Sequence, residues 1–308
     1  MIDSRAAVRW LQVRVTVEES RVDEAEAALL EAGAHAVSLL DAADVPVHEP
    51  APGSTPMWPR TIVEGLFDAD IDRSLVVTAL TEAGLAEAAA SLRFSELVEQ
   101  DWERAWMDRY EPMRFGRDLW ICPSHLEPDP DWPLVIRLDP GLAFGSGTHP
   151  TTALCLAWID GLELAGLDVL DFGCGSGVLA IAAGLKGAGR LVGVDHDPQA
   201  LLATEANAGR NGLEGRIECL LPDAFEALTG RRRRFDLVLA NILAAPLVEL
   251  APKLIACLRP GAALVLSGIL PEQAESVIAA YAELGEPVDH SEQDEWVRLV
   301  FRAARASG

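Results

Sequence analysis

The chain has little that would anchor it in a membrane, cross-link it or hold it to a polyanion. Its 308 residues include no apolar run of membrane-spanning length, so no membrane partner is expected. The opening Met1-Ile-Asp-Ser-Arg-Ala6 lacks the basic-then-apolar plan of a secretory signal, and the cytoplasm is the expected compartment. Five cysteines (Cys122, Cys155, Cys174, Cys219 and Cys257) are odd in number and hold no Cys-x-x-Cys pair. That pattern argues against a disulfide framework and a zinc site, and buried thiols are expected instead. Histidines do not cluster: His35 and His48 stand alone, and no metal is expected. Lysine is almost absent, with Lys186 and Lys253 the only two. An enzyme acting on amines would therefore have few of its own to modify.

Basic charge is also short, with 25 Lys and Arg against 48 Asp and Glu and a formal charge of −23. Most of the surface would repel a nucleic-acid backbone, so a direct nucleic-acid substrate is not expected. A basic partner suits such a surface; so does a salty cytoplasm or simple solubility, and both readings stay open. What the chain does have is apolar content, 50% of its residues, which is enough for two cores.

The first part reads as β-α-β-β-α-β. Val8–Val15 is strand-like, a helix from Val22 carries Val22, Ala25, Leu29 and Leu30 on one face and stops at Gly33, and Ala36–Leu40 is a second strand. Residues 41–58 read as loop; Thr61–Phe67, Ile71–Ala83 and Ser91–Val98 read as strand, helix and strand. The order predicts a smaller α+β ferredoxin-like domain over residues 1–98, read as a recognition module, with a merely supporting domain as the alternative. A linker over residues 99–115 follows, in which Trp102, Trp106 and Tyr110 recur every four residues of a helix that Pro112 ends; packing is the expected role of that stripe.

Residues 116–308 carry the chemistry. Strand-like Asp118–Cys122 and Leu134–Leu138 flank a Pro/Asp loop. Then comes Asp139-Pro-Gly-Leu-Ala-Phe-Gly-Ser-Gly-Thr-His-Pro-Thr-Thr152, a long small-residue run ending in a helix start, with Leu154, Trp158 and Leu162 as the inner stripe. It reads as a mobile loop able to fold over a ligand. Next is the stretch that organises the chain, Val169-Leu-Asp-Phe-Gly-Cys-Gly-Ser-Gly-Val-Leu-Ala180: an apolar strand, a turn with Gly173, Gly175 and Gly177, and an apolar helix. Such a turn lets backbone approach a ligand and aims helix-start amides at it. A second strand, Arg190–Asp195, ends in a carboxylate suited to the two hydroxyls of a ribose. A dinucleotide fingerprint would need glycine at position 178, which is Val178, so a nicotinamide cofactor is disfavoured.

Alternating helices and apolar strands continue: Asp197-Pro198 opens a helix with Ala200, Leu201, Thr204 and Ala208, and Ile217–Leu220 and Phe235–Ala240 are strands. Helix Leu247–Leu258, strand Ala262–Leu266, helix Glu272–Leu284 and a hairpin between Val288 and Phe301 close the chain. The pattern predicts a mostly parallel doubly wound sheet with a final antiparallel pair. Asp223 follows the third strand and either faces an adenine amine or caps a helix. Arg231–Arg234 reads as a solvated turn. Asn241 stands where an amide oxygen can accept from the N–H groups of an amine; His149 is a candidate proton acceptor or a loop-packing residue, and Trp296 either lies at the site mouth or in the core.

Four segments together, 139–152, Trp102-Glu-Arg-Ala-Trp-Met-Asp108 with Pro112-Met-Arg-Phe-Gly116, Asp171–Gly177 and Ala240-Asn-Ile-Leu-Ala244, resemble the bacterial methyltransferases that modify ribosomal protein L11. The likeness runs from about Trp10 to the C-terminus, with the motifs in the same order. It implies a class I (Rossmann-like) methyltransferase domain behind the ferredoxin-like one, S-adenosylmethionine as methyl donor, and lysine and N-terminal amines of ribosomal protein L11, free or in the large subunit, as acceptors. It places the family's cofactor-binding threonine, glycine, aspartate and asparagine on Thr152, Gly173, Asp195 and Asn241, with Gly175 and Asp223 as further cofactor-binding candidates and Asn241 and His149 as catalytic candidates. Gly145-Ser-Gly147 replaces the Gly-Thr-Gly of many members, a mild departure. A monomer is expected. The alternatives are a methyltransferase of another basic protein or of a nucleobase or glutamine amide, which usually carries Asn-Pro-Pro-aromatic at the position of Asn241–Ala244, and a non-catalytic S-adenosylmethionine-binding module.

Overall fold

The computed structural model describes residues 9–43, 58–98, 110–139, 145, 147–229 and 234–305. The chain divides into two compact units, Met1–Ala105 and Trp106–Gly308.

In the first unit, β1 (Arg9–Glu18), α1 (Val22–Glu31), β2 (Ala36–Asp41), β3 (Arg60–Asp68), α2 (Arg73–Glu82), a short α3 (Ala86–Ala89) and β4 (Arg93–Val98) form one antiparallel sheet of order β2-β3-β1-β4 under two helices. This is the predicted ferredoxin-like order. Strand alternation sets the layers: Leu11, Val13, Val15 and Val17 point into the core with Val63 and Phe67, while Gln12, Arg14, Thr16 and Glu18 face outward. Helix α1 buries Val22, Ala25, Ala28 and Leu29. Leu30, expected on that face, is 48% exposed, because the inner stripe follows Ala25, Ala28 and Leu29 and leaves its neighbour turned to solvent. Asp72 opens α2 by accepting from the Ser74 amide at 2.9 Å. The linker stripe and the 41–58 loop lie outside the described residues, apart from positions 41–43, Trp58 and Tyr110; Tyr110 is buried in the second unit's core.

The second unit begins with a small mixed sheet, β5 (Met113–Phe115), β6 (Leu119–Cys122) and β7 (Leu134–Arg137), with β5 antiparallel and β7 parallel to β6. Helix α4 (Pro150–Asp160) leads to the large sheet, through β8 (Val169–Phe172), α5 (Val178–Leu185), β9 (Leu191–Val194), α6 (Pro198–Arg210), β10 (Ile217–Leu220), α7 (Pro222–Thr229), β11 (Phe235–Asn241), α8 (Ala244–Ala256), β12 (Leu258–Ile269), α9 (Ala274–Ala280), β13 (Asp289–Gln293) and β14 (Trp296–Arg302). Strand order is β10-β9-β8-β11-β12-β14-β13, parallel except for the last two pairings. Successive residues of the central strands feed opposite faces: Val169 joins the core under α4, α5 and α6, and Leu170 the core under α7, α8 and α9. The hairpin turns at Asp294 and Glu295, both with positive φ (47° and 64°).

Helix α4 differs from its expected stripe. Leu154 is buried, and Trp158 and Leu162, the latter past the helix end, pack half-buried against the core, but Cys155, Leu156 and Ile159 are wholly buried beside them, because α4 meets α5 and β12 on more than one side. The cysteines follow expectation, with Cys122, Cys155, Cys174 and Cys257 buried and Cys219 half-buried. Burial pushes the Cys155 thiol up to about 12.

Candidate active site

The sheet order reverses at β8, whose neighbours β9 and β11 lead away on either side, and a ligand crevice is expected at the carboxyl ends there. A cavity of about 610 Å³ occupies that place. Its walls come from the turn after β8 (Gly173, Gly175), the end of β9 (Val194, Asp195, His196) and the end of β11 (Asn241, Ile242, Leu243).

Gly173 has φ +78°, and a Cβ there would fall 2.2 Å from Ile242 Cγ2. Glycine at this position thus brings the β8 turn against the β11 turn, leaving the crevice between backbone and ligand. Gly177 is the N-cap of α5, also at φ +78°, and the Thr204 side chain fills the space a Cβ would need. Ser176 ties the preceding loop down by donating to the Gly145 carbonyl at 2.8 Å, and Gly147 is packed against Ile121. Residues 140–144 and 146, the body of the loop expected to be mobile, lie outside the described residues.

Asp195 is 8% exposed and lines the cavity. Its carboxylate accepts from the Gly175 amide at 2.9 Å and the Asp197 amide at 3.0 Å, so this acid and the glycine turn are held as one piece. Asp171, the acid of the glycine motif, is wholly buried: one oxygen accepts from the Ala180 amide at 3.1 Å and the other has no hydrogen-bond partner among the described residues. Burial pushes this carboxyl up to about 7, and the nearby charge of Asp195 acts in the same direction.

Asn241 lines the cavity and donates its amide N–H to the Thr152 hydroxyl oxygen at 3.3 Å. Thr152 itself is fully buried; its neighbour Thr151 forms the wall. His149 also lines the cavity and is the N-cap of α4, where its ring accepts from the Thr151 amide and lies 2.8 Å from the Thr151 hydroxyl. Trp296 meets it edge to face, with ring centroids 4.9 Å apart, so this tryptophan stands at the cavity wall. Asp223 is exposed in the first turn of α7; the cavity wall there is Pro222, and the helix begins one residue before Asp223, which therefore does not cap it. The Arg231–Arg234 run lies outside the described residues except for Arg234.

Three contributors escaped the sequence reading. Pro246, Leu250 and Lys253 line the cavity from one face of α8, a spacing of four and three that marks a single helix face. Lys253 pairs with Glu226 at 2.5 Å and lies over the Phe172 ring. Behind α4, the hydroxyl of buried Ser267 lies 3.3 Å from both the Thr151 and the Val297 carbonyls and donates its one proton between them, and buried Arg298 donates to the Leu154 carbonyl at 2.8 Å while pairing with Asp289. These contacts fasten the helix bearing His149, Thr151 and Thr152 to the hairpin bearing Trp296; no local pattern announces the links to α4, since Ser267–Thr151 and Arg298–Leu154 join residues over a hundred positions apart.

Glycine turn, a buried cavity-lining acid (Asp195) and apolar walls (Phe172, Val194, Ile242 and Leu250) at the switch point of this strand order define a class I methyltransferase, which draws its methyl group from S-adenosylmethionine. A family model for ribosomal protein L11 methyltransferases matches residues 9–304. A ribosomal protein L11 methyltransferase of Pseudomonas aeruginosa (strain LESB58) is 52% identical over 298 residues, covering 95% of this chain and 98% of its own. One of Haemophilus ducreyi is 47% identical over 294 residues, 94% and 98% of the two chains. The crystal structure of a ribosomal protein L11 methylase from Lactobacillus delbrueckii subsp. bulgaricus superposes with a TM-score of 0.57 at 33% identity, covering 64% of this chain and all of that one. The chain belongs to the ribosomal protein L11 methyltransferase family.

Proposed function

We propose that the protein transfers methyl groups from S-adenosylmethionine to lysine side-chain and N-terminal amines of ribosomal protein L11. The residues present suit the donor: Asp195 offers carboxylate acceptors for a ribose diol, Gly173 and Gly175 offer close backbone, and the apolar walls suit a flat base. S-adenosylmethionine supplies an electrophilic methyl group on a sulfonium. Everything else falls to this chain's own side chains.

The observation that carries the amine reading is the Asn241–Thr152 hydrogen bond. With the amide nitrogen engaged on Thr152 through one of its two N–H groups, the carbonyl oxygen of Asn241 is the acceptor available to the N–H of an incoming amine. Asn241 orients that amine and is no strong base. A free lysine, with a pKa of about 10.4, must arrive neutral or lose its proton to water, which desolvation favours. His149 serves as cap for α4 in this reading, Thr152 acts through Asn241, and Asp223 stays at the edge of the nucleoside site.

We assign protein recognition to the first unit and catalysis to the second, with the chain acting as a monomer in the cytoplasm and on protein, not nucleic acid. The described helices include none long and apolar enough to cross a membrane. The deciding experiment is an intact-mass assay: ribosomal protein L11 from a strain lacking the enzyme, incubated with this protein and S-adenosylmethionine, gains mass in steps of one methyl group. No gain, with cofactor binding intact by calorimetry, refutes the substrate.

A further inference from the structure

A second cavity, about 390 Å³, lies wholly within the first unit, on the outward face of its four-stranded sheet. Arg14, Arg60 and Arg93 line it with Thr16, Ile62, Ser91 and Ala42. Three arginines thus line one cavity in a chain whose formal charge is −23.

The register makes this arrangement costly. Arg14 on β1 stands directly opposite Arg93 on β4, both on the outward face, and like charges so placed destabilise a sheet. Arg14 is compensated by Glu64 across the other edge of β1. Among the described residues Arg60 has only a loose ion-pair partner, Glu18 at 3.8 Å with both side chains well exposed, a pair of little energetic weight. Arg93 has no ion-pair partner among the described residues. The cavity is thus a concave, incompletely neutralised cationic site on a face whose other residues the helices do not cover.

We propose that this cavity binds a carboxylate, an acidic side chain of the protein substrate held by Arg93 and Arg60 with Arg14 beside them. Arginine's planar fork fits a carboxylate in two-point fashion, which gives orientation as well as attraction. A protein carboxylate is favoured over a nucleic-acid phosphate because a polyanion needs a run of cationic contacts, and the chain as a whole is strongly negative. The inference rests on the reading that the first unit recognises ribosomal protein L11, and names the chemistry of that contact.

The test uses the full chain and the double variant Arg60→Ala/Arg93→Ala, which spares Arg14 so that Glu64 is not stranded. Calorimetry gives the affinity for free L11 and for S-adenosylmethionine, and steady-state assays give kcat and KM. The expected result is a tenfold or greater rise in Kd and KM for L11, with kcat and cofactor affinity unchanged. Acid-to-amide changes in L11, made singly, should include one that weakens binding to the wild-type enzyme and has no effect on the double variant. A double variant with wild-type KM, or no coupled acid in L11, overturns the proposal. Loss of affinity for a ribosomal RNA fragment with L11 binding intact would also overturn it, assigning the cavity to phosphate. Should the wild-type chain itself neither bind nor methylate L11, the functional reading falls, a failure visible before any arginine is changed.

Discussion

Asn241 reaches across 89 residues of sequence to donate to the Thr152 hydroxyl, joining the end of β11 to the first turn of α4. The bond engages the nitrogen end of the amide, which leaves its carbonyl oxygen as the acceptor. Thr152→Val keeps the shape and removes the acceptor, worth about 1 kcal/mol, so kcat should fall about fivefold while the Kd for S-adenosylmethionine changes less. Thr152→Ser should recover most of the loss. An equal fall in cofactor affinity would mean that Thr152 serves the cofactor directly.

Asp195 ties the end of β9 to the glycine turn through its bonds to the Gly175 and Asp197 amides. Asp195→Ala should weaken S-adenosylmethionine binding by about 1.5 to 3 kcal/mol, roughly ten- to a hundredfold in Kd, by removing a charge-assisted contact. Calorimetry reads this directly, and unchanged affinity refutes the ribose assignment.

Gly173→Ala should fail for two separable reasons. A left-handed backbone costs an alanine about 1 kcal/mol or more, and its Cβ would lie 2.2 Å from Ile242 Cγ2. Thermal unfolding should show the destabilisation, and cofactor binding should be lost. Adding Ile242→Ala removes the clash alone, so the double variant should regain part of the stability; no recovery would place the whole cost in the backbone.

The parts of the protein legible in its sequence are those set by local rules. Gly173, Gly175 and Gly177 mark a turn because few other residues tolerate those dihedral angles, and Asp197-Pro198 marks a helix start because a side-chain acceptor and a fixed φ are needed there. Parallel strands such as Val169–Phe172 show as short apolar runs because both faces are covered. Tertiary pairing is what local rules miss. The three-residue β5 exists because β6 is there to pair with it, and β12 extends back to Leu258 because β11 offers a partner at Phe235. The three-arginine cavity is equally silent in sequence, since Arg14, Arg60 and Arg93 meet only through strand register. Family resemblance supplied the acceptor substrate; no spacing of residues encodes ribosomal protein L11.

Asp171 predicts a pH dependence. Its carboxyl is ordinarily near 3.8 and burial raises it to about 7 in the fold, so between those values the folded chain holds a proton that the unfolded chain has lost. Stability from this group is therefore present at low pH and declines as pH rises through that window. Asp171→Asn lacks the titration, so the variant should gain on the wild type between about pH 4 and pH 8, by at most about 4 kcal/mol. Urea unfolding at both ends of that range checks it, and a constant difference would show that Asp171 stays charged.

His149 separates a structural role from a chemical one. As the N-cap of α4 it accepts from the Thr151 amide, and asparagine can do the same. His149→Asn should thus keep kcat within about threefold and leave the pH profile of kcat/KM unchanged, whereas His149→Ala loses the cap, about 1 kcal/mol, and lowers Tm by about 2 to 4 °C. Were the imidazole the proton acceptor, the outcomes would invert: both variants would lose activity, and the limb of the profile that reports histidine ionisation would disappear. Contact with Trp296 makes a third variant informative, because Trp296→Leu removes the ring that abuts His149 but leaves the cap in place. A large fall in kcat from that change alone would show that the ring's orientation, and not the cap, is what the site requires.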